Sequence, residues 1–101
     1  MKTVITLTKP IKAHNEEINE IALREPTTDE RILIGDPQML VVMDNNLTGI
    51  KVLYPVIREY IVKLAGIPPS SVSQMAWRDI QACSKAILGF FSIEDSEAAL
   101  S

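Results

Sequence analysis

The stretch Ile21-Ala22-Leu23-Arg24-Glu25-Pro26-Thr27-Thr28-Asp29 changes its periodicity midway, and it limits what the chain can fold into more than any other. Ile21 and Leu23 alternate with Ala22 and Arg24, as a strand with one covered face requires. Pro26 has no N–H for a ladder and holds Glu25 extended, so it closes a strand and cannot continue a central one. Thr27 or Thr28 then caps a helix whose first turn holds Asp29 and Glu30, where the helix dipole favours negative charge. With Thr27 as the cap, Glu30 stands at the third helical position and the pair has capping-box spacing. Strands are expected before this junction and helices after it. The fold class is α+β, an N-terminal antiparallel β-hairpin over residues 3–24 followed by a small bundle of three to five helices over 27–91.

The hairpin is read from alternation and turn chemistry. Residues 3–7 place Ile5 and Leu7 on one face and Val4 and Thr6 on the other, and His14-Asn15 is a polar pair suited to a two-residue turn. That turn pairs Ile11 with Ile18 and Lys12 with Glu17. Continued without interruption, the register sets Ile5 opposite Arg24 and Leu23 opposite Thr6, splitting the apolar set between two faces. A slip of one residue sets Leu7 opposite Ile21 and Ile5 opposite Leu23, so a bulge is expected near Pro10, where the ladder already lacks a donor. A lone hairpin is marginal in water, so later helices or another subunit must cover its apolar face.

Beyond the junction the chain is read as helical. A short helix from Thr28 ends at Gly35, suited to a left-handed cap, and Asp36-Pro37 is read as the cap and first position of a second helix running to Met43. Asp44-Asn45-Asn46 is read as a turn. Over 47–65, Ile50, Leu53, Tyr54, Ile57, Ile61 and Leu64 make a stripe at helical spacing, with a bend expected at Pro55. Gly66 and Pro68-Pro69 end that helix, and 70–75 is one helical turn at most. A last helix opens at Trp77-Arg78-Asp79 and carries a stripe of Ile80, Cys83, Ile87, Leu88 and Phe91. Residues 92–101 are expected to form a flexible acidic tail beyond a single domain spanning 3–91.

Several function classes are disfavoured. The formal charge is −3, with ten basic residues scattered along the chain, which speaks against a nucleic-acid footprint. No apolar run approaches the roughly 20 residues that span a bilayer, so a cytoplasmic protein without a membrane partner is expected. Cys83 is the single cysteine and His14 the single histidine, so neither a cysteine-built zinc site nor a His-based triad is indicated. No enzyme, cofactor or metal site is expected. What stands out is the breadth of the apolar stripes in so small a domain. Val41, Val42, Met43, Val52, Val56, Val62 and Phe90 widen the stripes beyond one face, which implies either a second chain as cover or helices that cross in the core. Trp77 is either an interface anchor or, about twice as readily, a residue packed under the Pro68-Pro69 turn.

Two groups of residues resemble a known family. Val4-Ile5-Thr6-Leu7-Thr8-Lys9-Pro10-Ile11, a polar turn, and Ile18 onward into Leu23-Arg24-Glu25-Pro26-Thr27 resemble the start of tail assembly chaperones from Mu-like and P2-like contractile-tailed phages and prophages. Lys63-Leu64-Ala65-Gly66-Ile67-Pro68-Pro69, then Trp77-Arg78-Asp79-Ile80, is similar to that family's helix, Gly-hydrophobic-Pro turn and final helix. The resemblance implies a small non-enzymatic protein in the bacterial host cytoplasm that binds the tape-measure protein and keeps it soluble during tail assembly, and the wide apolar stripes add the expectation of a homo-oligomer. It also implies a longer form of the chain made by ribosomal frameshift. On that reading Ile87, Leu88, Phe90, Phe91, Val41 and Val42 are candidate partner-binding residues, and Arg24, Glu25, Pro26 and Thr27 are assigned to the structural junction. The competing expectation is a virion structural or adaptor protein retained in the phage tail.

Overall fold

The computed structural model describes residues 2–42 and 48–100, with side chains described as far as Phe91. Strand β1 (Lys2–Ala13) and strand β2 (Glu16–Arg24) form an antiparallel hairpin. His14 (φ 54°) and Asn15 (φ 65°) both occupy the left-handed region, the conformation whose twist matches that of the flanking strands. Next to the turn, Ile11 pairs with Ile18 and Lys12 with Glu17 as expected.

The register does shift between Thr6 and Ile11, but by more than one residue. Thr6 faces Glu20 and Ile11 faces Ile18, so four residues of β1 (7–10) stand against Asn19 alone, an excess of three. Ile5 therefore opposes Ile21, and Thr3 opposes Leu23, in place of the expected Leu7–Ile21 and Ile5–Leu23 pairs. Parity explains why the expectation was close: any odd excess returns the apolar set to one face, and three does so as well as one. The reason for the larger loop lies in the final helix. Buried Asp79 accepts the Thr8 N–H at 3.0 Å on both carboxylate oxygens, the Thr8 hydroxyl at 3.1 Å and the Lys9 N–H at 3.3 Å. The extra residues turn their donors away from β2 and onto that carboxylate, while Leu7 enters the core.

At the junction, helix α1 (Thr28–Ile34) begins with the full capping box. The Thr27 hydroxyl accepts the Glu30 N–H, and the Glu30 carboxylate accepts the Thr27 N–H. Gly35 closes α1 by donating its N–H to the Arg31 carbonyl, but at φ 95° and ψ −172° it is not a left-handed cap.

The segment after Gly35 corrects the helical reading. Residues 38–42 and 48–52 are strands β3 (Gln38–Val42) and β4 (Thr48–Val52), a second antiparallel hairpin with Leu40 opposite Ile50. Asp36-Pro37 starts no helix: Pro37 is buried in a bend, and its carbonyl accepts the Leu53 N–H at 2.8 Å. Met-Leu-Val-Val and Ile-Lys-Val are rich in residues that fit a pleated surface, and cross-strand pairing decided between two readings that a short apolar run leaves open. The expected turn at Asp44-Asn45-Asn46 lies outside the described residues.

Helix α2 (Tyr54–Ala65) starts only after β4, so it has 12 residues and lacks the first seven of the helix expected over 47–65. Pro55 sits in its first turn, where a missing N–H costs nothing, and no bend is required there. Gly66 ends α2 in the left-handed conformation at φ 68° and ψ 36°. Helix α3 (Pro69–Gln74) has six residues, somewhat more than the single turn expected, and α4 spans Trp77–Leu100, so helical backbone continues past the Phe91 at which the apolar stripe ends.

The α+β class holds. The β1–β2 hairpin turns Leu7, Ile11, Ala13, Ile21 and Leu23 inward against Ile57, Tyr60, Ile61 and Leu64 of α2, Val72 of α3, and Cys83, Ile87 and Phe91 of α4. Later helices thus cover this hairpin, one of the two covers the sequence left open. Tyr60 lies off the predicted stripe, yet it is fully buried because its hydroxyl donates to the Gly35 carbonyl.

Candidate partner-binding surface

The β3–β4 hairpin is built differently from the first. Alternation puts Leu40, Val42 and Ile50 on one face and Met39 and Val41 on the other, and no helix covers the first of these. Leu40 is 71% exposed, Val42 78% and Ile50 63%, and Met39 on the opposite face is also exposed. Ile32 and Leu33 on α1, one short link away in the chain, are 72% and 84% exposed. Large aliphatic side chains in solvent are ordinary singly, whereas Leu40, Val42 and Ile50 together on one face of a hairpin mark an interaction surface.

Where the hairpin meets the body, a cleft of about 350 Å³ is lined by Asp36, Pro37, Gln38, Met39, Leu40, Ile50 and Phe91. Phe91 is fixed there from two sides. Its ring stands edge-on to Tyr60 with centroids 5.5 Å apart, and the Arg31 guanidinium lies 4.4 Å from its centroid. The cleft therefore has a rigid aromatic wall on α4, a strand wall of aliphatic side chains, and one carboxylate at its rim. Such a site can take a bulky apolar side chain presented by another chain.

The six partner-binding candidates from the sequence divide. Ile87 is fully buried in the core, and Phe91 is buried apart from the portion lining the cleft. Leu88, Phe90 and Val41 are half-buried, and Val42 is exposed. The fold does bring the middle of α4 and the β3–β4 segment together, but through Phe91, Met39, Leu40 and Ile50 more than through the six residues as a set. Leu40 and Ile50 are not among the sequence candidates, because 37–43 and 47–65 are read as two helices with Ile50 on a buried stripe, and nothing in the sequence marks Ile32 and Leu33 on α1. The signal available was the β-branched pair Val41-Val42 and the apolar-polar-apolar alternation of Ile50-Lys51-Val52.

Trp77 does not pack out of sight under Pro68-Pro69. It is 56% exposed and lies against Tyr54, with ring centroids 4.7 Å apart and planes tilted by 50°. A shallower cleft beside this pair is lined by Arg58, Val72, Ser73 and Ile80 among others.

At the junction, Arg24 reaches Glu30 through two parallel hydrogen bonds of 2.7 and 2.6 Å, and also donates to the carbonyls of Glu25 and Lys63 at 3.2 and 3.3 Å. The Arg24 guanidinium, followed by the Thr27 N–H, holds the Glu30 carboxyl down at about 2. One side chain thus links the end of β2, the start of α1 and the end of α2, with Pro26 buried between. Glu25 is exposed beside them.

Burial, with a smaller contribution from Asp79, pushes the Cys83 thiol up to about 12, which leaves it a core side chain without nucleophilic character at neutral pH. His14 lies in the hairpin turn with Nε2 3.1 Å from the Gly66 carbonyl. Among the described residues no group of three or more His, Cys, Asp or Glu side chains could hold a metal ion, and no helix is long and apolar enough to cross a membrane.

A family model described as phage tail assembly chaperone proteins, E, or 41 or 14, matches residues 4–92. No curated protein and no solved structure matches the chain.

Proposed function

This chain belongs to the phage tail assembly chaperone family, and on that premise we propose that it binds the tape-measure protein and keeps it soluble during tail assembly. The observation that supports the reading is the uncovered aliphatic face of β3–β4 beside the Phe91 cleft. A long helical partner awaiting its tube exposes an apolar stripe. Its side chains at successive turns can seat against Leu40, Ile50 and Phe91 as an amphipathic helix seats in a groove. The role is non-enzymatic and belongs in the cytoplasm of the bacterial host. The same reading includes self-association and a longer frameshifted form.

Co-expression with the tape-measure protein, followed by affinity purification and comparison of its soluble fraction with and without this chain, tests the proposal. Expected is a soluble complex that is weakened by Leu40→Asp or Ile50→Asp, both exposed positions where the fold should tolerate charge. Ile87→Asp is the wrong probe, since it would place a charge in the core. A tape-measure protein equally soluble alone, with no copurification, would overturn the proposal. Recovery of this chain in purified, finished virions would favour the retained structural role.

A further inference from the structure

Among the described residues, four strands have an edge that another strand could join, and three of them are protected. The free edge of β1 is occupied by helix side chains. Besides the Asp79 bonds to Thr8 and Lys9, Gln74 Oε1 accepts the Lys12 N–H at 2.8 Å, and the Ser71 hydroxyl donates to the Lys12 carbonyl at 2.6 Å. Strand β2 carries Glu16, Glu17, Glu20 and Arg24 along its length, and β4 carries Lys51 and Gly49. Charged and weakly strand-forming residues of this kind blunt an edge. Strand β3 is different. Gln38-Met39-Leu40-Val41-Val42 has no charge, no proline and no glycine, and among the described residues its backbone bonds only to β4.

We propose that the β3 edge pairs antiparallel with β3 of a second copy about a two-fold axis at Leu40. This names the surface for the self-association in the reading above and requires nothing of the tape-measure protein. The register follows from symmetry: Leu40 faces its own counterpart, Met39 faces Val41, and Gln38 faces Val42, so each cross-strand contact is uncharged. Two marginal two-stranded hairpins become one four-stranded antiparallel sheet, which passes the three strands with an apolar face that independent stability needs.

The area sets the strength. A fully exposed large aliphatic side chain presents on the order of 60–120 Å² of apolar surface. At exposures of 48% to 78%, Met39, Leu40 and Val42 offer on the order of 120–240 Å² per chain. With apolar atoms making up somewhat over half of an interface, the pair buries on the order of 400–850 Å² in total. That is short of the roughly 1,200 Å² at which stable interfaces begin, so the dimer is weak and reversible.

Sedimentation velocity on the chain alone, from about 10 to about 500 µM, should show a concentration-dependent monomer–dimer equilibrium. Leu40→Lys should return it to monomer with an unchanged circular dichroism spectrum and melt. Leu40→Cys gives an independent arm. Directly opposed antiparallel residues lie about 4.5–5.5 Å apart at Cα, inside the disulfide range, while the native Cys83 is fully buried. Mild oxidation should therefore cross-link Leu40→Cys at least about tenfold faster than Ile50→Cys or Val42→Cys, whose counterparts in the second copy are not opposite them. A monomer throughout the range, a dimer indifferent to Leu40→Lys, or equal cross-linking at the three positions would each overturn the pairing.

Discussion

Replacement of Asp79 by alanine should cost the protein more than any other single polar substitution at a buried site. Asp79 is 1% exposed and stands in the first turn of α4, and it is the acceptor for three donors from the extra segment of β1: the Thr8 N–H, the Thr8 hydroxyl and the Lys9 N–H. A hydrogen bond to a charged acceptor contributes about 1.5–3 kcal/mol, and a donor left without a partner costs about 1–3 kcal/mol. Thr8 and Lys9 are exposed residues, so water can reach the abandoned donors and the lower ends of these ranges apply. The loss is then about 2–4 kcal/mol, which for a domain of this size lowers the melting temperature by roughly 8–25 °C. Asp79→Asn keeps one acceptor oxygen but turns an amide donor towards N–H groups, so it should fall between wild type and alanine, at about 1–2 kcal/mol. Urea unfolding followed by circular dichroism at fixed pH reads both numbers, with the m-value reporting whether the native state stays compact. Thr8→Val, which removes the hydroxyl alone, closes a double-mutant cycle with Asp79→Ala. If Asp79→Ala lies within about 0.5 kcal/mol of wild type, the carboxylate does not hold the β1 loop and the account of the three-residue excess fails.

The Arg24–Glu30 pair makes stability depend on pH in acid. Glu30 is held at about 2 against an ordinary 4.5, so its contribution is complete above about pH 4.5 and is lost as pH falls towards 2. Arg24 is 40% exposed, so screening reduces this to about 1 kcal/mol. Glu30→Gln should remove that part of the acid titration in melting curves recorded from pH 5 to 2. Pro26→Ala should lower stability by about 1 kcal/mol through added freedom of the unfolded chain and lost packing, while leaving tape-measure capture intact. A variant that keeps its melting temperature and loses the partner would move Pro26 from the junction to the interface. Cys83, with its thiol near 12 and no exposure, should resist alkylation by iodoacetamide at pH 8 until denaturant is added, and rapid labelling of the folded protein would contradict its place in the core.

The junction and the first hairpin were legible because their signals are local. A proline, a Thr-x-x-Glu spacing and a two-residue polar turn act within one turn of chain, and each is found with its expected geometry. The size of the β1 excess was not legible. It depends on Asp79, 71 residues away from Thr8, and no periodicity in β1 reports a distant carboxylate. The second hairpin was misread for a related reason. Asp36-Pro37 is a sound helix-start signal, and Ile50, Leu53, Tyr54 and Ile57 happen to fall at helical spacing, so local chemistry favoured helix where pairing between β3 and β4 imposed strand. That one exchange displaced the candidate surface: Ile50 moves from a buried stripe to an exposed face, and Ile87 stays inside. The breadth of the apolar stripes left open both a cover by another chain and helices crossing in the core, without saying which element carries uncovered surface.

Hydrogen–deuterium exchange of the chain, with and without bound tape-measure protein and at a concentration where the free chain is monomeric, tests the central claim most directly. The account predicts slowed exchange in the complex across β3 and β4 and in α4 next to Phe91, with Tyr54 and the first turn of α4 at Trp77 unchanged. Protection confined to the Tyr54–Trp77 side, or no protection in a complex that still forms, would contradict capture by the second hairpin.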